Sequence, residues 1–124
     1  MTDAEAKKLA DLVRASSSQL HTFLKWGYLE KVYENGLAHR LSKKGIRVEQ
    51  QVRISVKDED GMVLGDYVAD MVAEGKMIIE IKACESLKDI HTAQVLGYLR
   101  ATGLRHGILI NFGAPVLQTK KLVL

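Results

Sequence analysis

Asp70 is followed ten residues on by Glu80 and then Lys82, the last two set in the apolar run Met77 to Ala83. In a strand, alternate side chains share a face, so Glu80 and Lys82 point the same way, roughly 6 to 7 Å apart, and Ile81 points to the other side. Charges are buried only with partners. An Asp, a Glu and a Lys converging on one face would partner one another or bind a metal, which reads as a metal-assisted hydrolytic site. On a solvent-facing strand edge, by contrast, Glu-x-Lys is an ordinary surface pattern, so its surroundings decide its meaning.

Other reactive residues are sparse. Cys84 is the single cysteine and forms no internal disulfide, in keeping with a reducing compartment. It follows the Glu-x-Lys segment, with His91 seven residues on as a conceivable base, but a small half-buried thiol is the simpler reading. His91, Gln94 and Tyr98 recur at i, i+3 and i+7, which places them on one helix face. His39 and His106 have no partner at metal-ligand spacing, and no phosphate-cradling glycine loop, zinc pair or serine-nucleophile motif is present.

The elements that must position these residues follow from hydrophobic spacing. Residues Ala4 to Leu24 read as a helix interrupted or weakened near Ser16-Ser17-Ser18. Leu29, Val32, Tyr33, Leu37 and Leu41 predict a second helix over Tyr28 to Lys44, with Gly45 where a C-terminal glycine belongs. Ile46 to Val56 alternates with period two and ends in the turn Asp58-Glu59-Asp60-Gly61. Met62 to Ala73 and Met77 to Ala83 read as two more strands joined across Glu74-Gly75-Lys76, so three successive strands form an antiparallel meander. Leu87 to Thr102 is helical, with Ile90, Ala93, Leu96 and Leu99 on or near one stripe and Gly103 closing it. Gly107 to Phe112 reads as a fully buried strand, and Val116 to Leu124 as an added edge strand.

At 124 residues, with 47% apolar and 27% charged residues, the composition is that of one globular domain. No apolar run approaches the roughly 20 residues that span a bilayer, and Met1 to Glu5 lacks a signal-peptide pattern, so a cytoplasmic protein without membrane contact is expected. The net charge of +3 permits polyanionic partners. Lys43, Lys44, Arg47, Arg53, Lys88 and Arg100 are available for phosphate contact but form no single stripe.

The αβββαβ order, with an acid on the second strand and Glu-x-Lys on the third, resembles the PD-(D/E)xK nuclease superfamily. Gly27-Tyr28-Leu29-Glu30-Lys31-Val32-Tyr33 is similar to the Gly-x-x-Glu-x-x-Tyr signature of its GxxExxY branch. Val48-Glu49-Gln50-Gln51, Gly65-Asp66-Tyr67, Ala69-Asp70, Glu80-Ile81-Lys82-Ala83, His91-x-x-Gln94 and Asn111-Phe112-Gly113 look like that branch's further blocks. Ala69 stands where the superfamily name has proline, Lys25-Trp26 where Gly-Pro is frequent, and Val68 where a basic residue is common. The resemblance spans roughly residues 20 to 124 within a single domain over 1–124, whose core is about 20–113.

What the resemblance implies is an α/β, restriction-endonuclease-like fold with a mixed central sheet flanked by helices and an extra N-terminal helix. It implies a nuclease using Mg²⁺ or Mn²⁺ on DNA, or on RNA. Asp70 and Glu80 would be the principal metal ligands, with the Ile81 carbonyl beside them and Glu30 approaching as a further metal or water ligand. Lys82 would orient or deprotonate the nucleophilic water, and Gln94 would lie near the reacting phosphate. Tyr98, His91 and His21 are lesser candidates for substrate contact. A homodimer, paired through Leu122-Val123-Leu124, would match a duplex with two strands to cut. The competing reading is a catalytically silent module that keeps the fold and binds nucleic acid or protein.

Overall fold

A computed structural model describes residues 1–124. The chain runs α1 (Asp3–Leu24), α2 (Glu30–Lys43), β1 (Val48–Lys57), β2 (Val63–Ala73), β3 (Met77–Lys82), α3 (Asp89–Thr102), β4 (His106–Asn111) and β5 (Gln118–Val123). The five strands form one sheet in chain order, antiparallel except for the parallel pair β3–β4 that α3 connects. This is the mixed, helix-flanked α/β sheet expected. The meander, the buried β4 and the edge strand β5 all form. Leu122 of β5 is buried in the chain's own core, while Val123 and Leu124 stay exposed.

The two sheet faces carry separate cores. Ile79, Ile81, Ile108 and Ile110 pack beneath α1 and α2 with Leu9, Val13, Leu37 and Leu41. Ile78 and Leu109, of the opposite parity, pack beneath α3 with Val95, Tyr98 and Leu99. Glu74 and Gly75, at φ 55° and 64°, make the tight turn between β2 and β3, whose left-handed pair matches the twist of the strands it joins.

Two expectations are corrected. The serine cluster does not interrupt α1, which is continuous through it. The Ser17 hydroxyl donates to the Val13 carbonyl (2.7 Å) and Ser16 Oγ accepts from Lys44 Nζ (2.7 Å), so both buried hydroxyls are satisfied within or across helices. α2 comes close to the same helix: a Cβ on Gly36 would lie 2.9 Å from Leu20 Cδ1. Ile90 is not on the buried stripe of α3. It is 70% exposed, because the helix turns Val95, Tyr98 and Leu99 to the sheet instead.

The period-two alternation of β1 also fails to describe one face. Val48 packs toward α1 and α2, whereas Val52 and Ile54, of the same parity, pack beneath α3. On the partner strand Met71 and Ala73 lie on the first side and Ala69 on the second. The exchange falls at Gln51, whose φ of 54° is left-handed, opposite Asp70 in a register that keeps step from Val48 to Val56. A left-handed residue turns a strand about its own axis and reassigns every later side chain.

Candidate functional site

β2 and β3 pair only from Met71–Ile79 to Ala73–Met77, and the next rung would be Asp70 with Glu80. There the strands separate, and side chains replace the ladder. The Asp70 N–H donates to Glu80 Oε1 (2.8 Å) and the Ile81 N–H donates to Asp70 Oδ2 (2.8 Å). Each carboxylate thus commits one oxygen to a backbone amide of the opposite strand, and the other oxygen lies outside these bonds. Glu80 is only 3% exposed. Burial, then the charge of Asp70, pushes its pKa up to about 8. Asp70 is likewise raised by burial, with Glu34 adding to the shift and the Ile81 amide opposing it. Carboxylates perturbed by burial and a like charge cluster at functional sites.

Lys82 shares the Glu80 face, since Ile81 between them is buried beneath α1 and α2. Its ammonium forms no ion pair with either acid: the three ion pairs of the molecule lie in α1 and α2. Lys82 Nζ instead donates to Gln94 Oε1 on α3 (3.0 Å). Tyr98, one turn further on, is buried, and its hydroxyl is raised in pKa by that burial and by the charges of Glu80 and Asp70. Five of the candidate residues therefore meet: Asp70, Glu80, Lys82, Gln94 and Tyr98.

Glu30 opens α2, exposed, and contributes to the field at Glu80. The Gly-x-x-Glu-x-x-Tyr segment acquires a structural account here. Gly27 has φ 116°, which only glycine adopts readily. The buried Tyr33 hydroxyl donates to the Lys25 carbonyl (2.6 Å) and accepts from the Tyr28 N–H (3.3 Å), while its ring stacks on Phe112 at 4.8 Å. Tyr33 thus pins the loop that delivers Glu30.

Of the remaining candidates His91 lines one cleft with Lys82, Gln94 and Tyr98, and the others lie apart. His21 Nε2 bonds the Ala114 carbonyl (2.9 Å) and its ring packs near Phe112, tying α1 to the β4–β5 connection. His91 Nδ1 accepts from the Lys88 N–H (3.0 Å) at the start of α3. Cys84 Sγ bonds the Ser86 carbonyl and forms no hydrogen bond with His91. His106 is buried beside Lys121 (3.2 Å), which, after burial, lowers its pKa.

Two residues at the site were not foreseen. Glu34, 3% exposed, accepts from Lys31, Gln50 and Gln51 at 2.8 to 3.0 Å. Gln51, which donates to Glu34, also lies close enough to the Asp70 carboxylate to oppose the rise in its pKa. Glu34 lies one helical turn after Glu30, and that spacing was the available signal. Gln51 stood in the Val48–Gln51 block, but nothing there announced its left-handed backbone, which is unusual for a glutamine.

No three His, Cys, Asp or Glu side chains converge tightly enough to form a protein-only cation cage. The Asp70–Glu80 pair nevertheless fits Mg²⁺, a hard ion that is commonly held by one or two carboxylates and keeps several waters. Glu80 is buried and Asp70 half-buried, and neither forms an ion pair.

A family model described as the PD-(D/E)XK nuclease superfamily matches residues 7–122. The crystal structure of SSO0001 is similar at a TM-score of 0.58 and 22% identity, over 75% of this chain and 48% of that one. The chain thus spans about half the length of that protein, and a likeness at this identity concerns the fold. No curated protein matches the chain.

Proposed function

The chain belongs to the PD-(D/E)XK nuclease superfamily, and from that premise we propose that it is a single-domain, Mg²⁺- or Mn²⁺-dependent nuclease of the GxxExxY branch, hydrolysing phosphodiester bonds in DNA or RNA. The observation that carries this reading is the Asp70–Glu80 pair at the parting of β2 and β3, with Lys82 on the Glu80 face held by Gln94. Nucleases of this superfamily generally use divalent metals. No helix is long and apolar enough to cross a membrane.

Hydrolysis adds water across a P–O bond, the oxygen going to phosphorus and a proton to the leaving oxygen. Asp70, Glu80 and the Ile81 carbonyl would hold the metal, with Glu30 approaching from α2 as a further metal or water ligand. Bound there, it would supply an activated water and offset charge on the phosphate oxygens. Gln94 fixes the Lys82 ammonium, which then orients the attacking water and faces the negative charge that develops on phosphate. Arginine would keep the charge of Lys82 but not its compact, adjustable ammonium.

Purified protein should cleave DNA or RNA in Mg²⁺ or Mn²⁺, and Asp70→Ala and Lys82→Ala should each lower the rate at least about a hundredfold. Cleavage undiminished in both variants would refute the assignment. Calorimetric titration with Mn²⁺ checks the metal separately: absence of binding at millimolar ion would favour the catalytically silent module.

A further inference from the structure

A groove of about 980 Å³ runs between α3 and the part of the β1–β2 ribbon that extends past β3. Lys82 and Gln94 stand in it, so it opens from the candidate active site. Lys57 on β1 and Arg100 on α3 add positive charge, and no carboxylate lines it. Tyr67, 53% exposed, forms part of its wall beside Tyr98 (ring centroids 5.9 Å apart), a position that leaves much of the ring open to a ligand.

We propose that this groove seats an unpaired nucleic-acid strand, with one base stacked on Tyr67 and flanking phosphates on Arg100 and Lys57, and leads that strand to Lys82. The inference deepens the nuclease reading and rests on it for the scissile phosphate. Cations without opposing acids select a polyanion. An exposed tyrosine among them selects a polyanion that offers flat π-faces, as single strands do and as duplexes, whose bases are already stacked, do not. The size agrees: sites of roughly 300 to 1,000 Å³ enclose drug-sized ligands, which corresponds to about one or two nucleotides. A surface for duplex alone would need phosphate contacts but no aromatic wall.

Fluorescence anisotropy in EDTA reads binding without cleavage. A labelled single-stranded oligonucleotide and the duplex of the same sequence are titrated with wild-type protein and with Tyr67→Ala, Tyr67→Phe and Arg100→Ala. The single strand should bind about tenfold or more tightly than the duplex. Tyr67→Ala should weaken single-strand binding about tenfold, Tyr67→Phe should retain it, and Arg100→Ala should weaken it. Circular dichroism establishes that each variant is folded, and exposed Arg100 supplies a second reading if Tyr67→Ala is not. Equal or tighter binding of duplex, or full single-strand affinity in folded Tyr67→Ala, would overturn the proposal. Cleavage in Mn²⁺ without strand preference would refute the groove and spare the nuclease; strand preference without cleavage would do the reverse.

Discussion

Glu80 carries the main electrostatic tension of the molecule, since a buried carboxylate sits beside Asp70 while Lys82 is directed to Gln94. Its folded pKa of about 8 lies above the ordinary 4.5. Between those values the folded protein holds a proton that the unfolded chain releases, so this contribution to stability is complete below about pH 4.5 and is lost as pH rises toward 8. In EDTA the wild-type Tm should therefore fall from about pH 5 to pH 8, and Glu80→Gln, which cannot ionise, should flatten that fall. Mn²⁺, bound by the ionised pair, should raise the wild-type Tm more at the higher pH. Identical pH profiles for wild type and Glu80→Gln would remove the basis of this account. Glu80 and Lys82 could be assigned to one face from period two alone, but the separation of β2 from β3 that sets Asp70 beside Glu80 could not.

Among the elements, the segment after β3 is held by the end of β4. Asn111 is fully buried, and its Oδ1 accepts from the Cys84 and Gly113 N–H groups (3.0 and 2.9 Å). Its amide donates to the Cys84 carbonyl and Gln118 Oε1 (both 2.9 Å). A Cβ on Gly113 would overlap the backbone of Ala83 and Cys84, a clash that no rotamer relieves. Gly113→Ala should cost about 1–3 kcal/mol or more in urea unfolding. It should also slow cleavage, because the chain it displaces begins two residues after Lys82. An unchanged urea midpoint would contradict the clamp. Asn111-Phe112-Gly113 was recognisable in the sequence as a block, but the need for glycine arises from the segment after β3, which is remote in sequence.

For the molecule as a whole, the cores on opposite faces of one sheet leave the acid pair between α2, which brings Glu30 and Glu34, and α3, which brings Gln94 and Tyr98. Nucleic acid meeting Lys82, Arg100 and Lys57 would release counterions from about three phosphates. Single-strand affinity should then fall with salt with a log–log slope near −2, at about −0.7 per phosphate. Anisotropy titrations over a range of salt concentrations measure it, and a slope near zero would exclude phosphate contact by these side chains.

The sequence by itself determined the order of helices and strands, the turns at Glu74-Gly75 and Gly103, and the common face of Glu80 and Lys82. Each follows from backbone sterics and periodicity within a few residues. It also placed Asp70, Glu30 and Gln94 on the elements that come to surround that face. Only the tertiary structure decided that β2 and β3 part at Asp70, that Gln51 turns left-handed opposite it, that Glu34 is buried beside it, and that the α1 serines are satisfied by Val13 and Lys44. These outcomes depend on contacts between distant segments, where packing and hydrogen-bond satisfaction override what each residue would do alone.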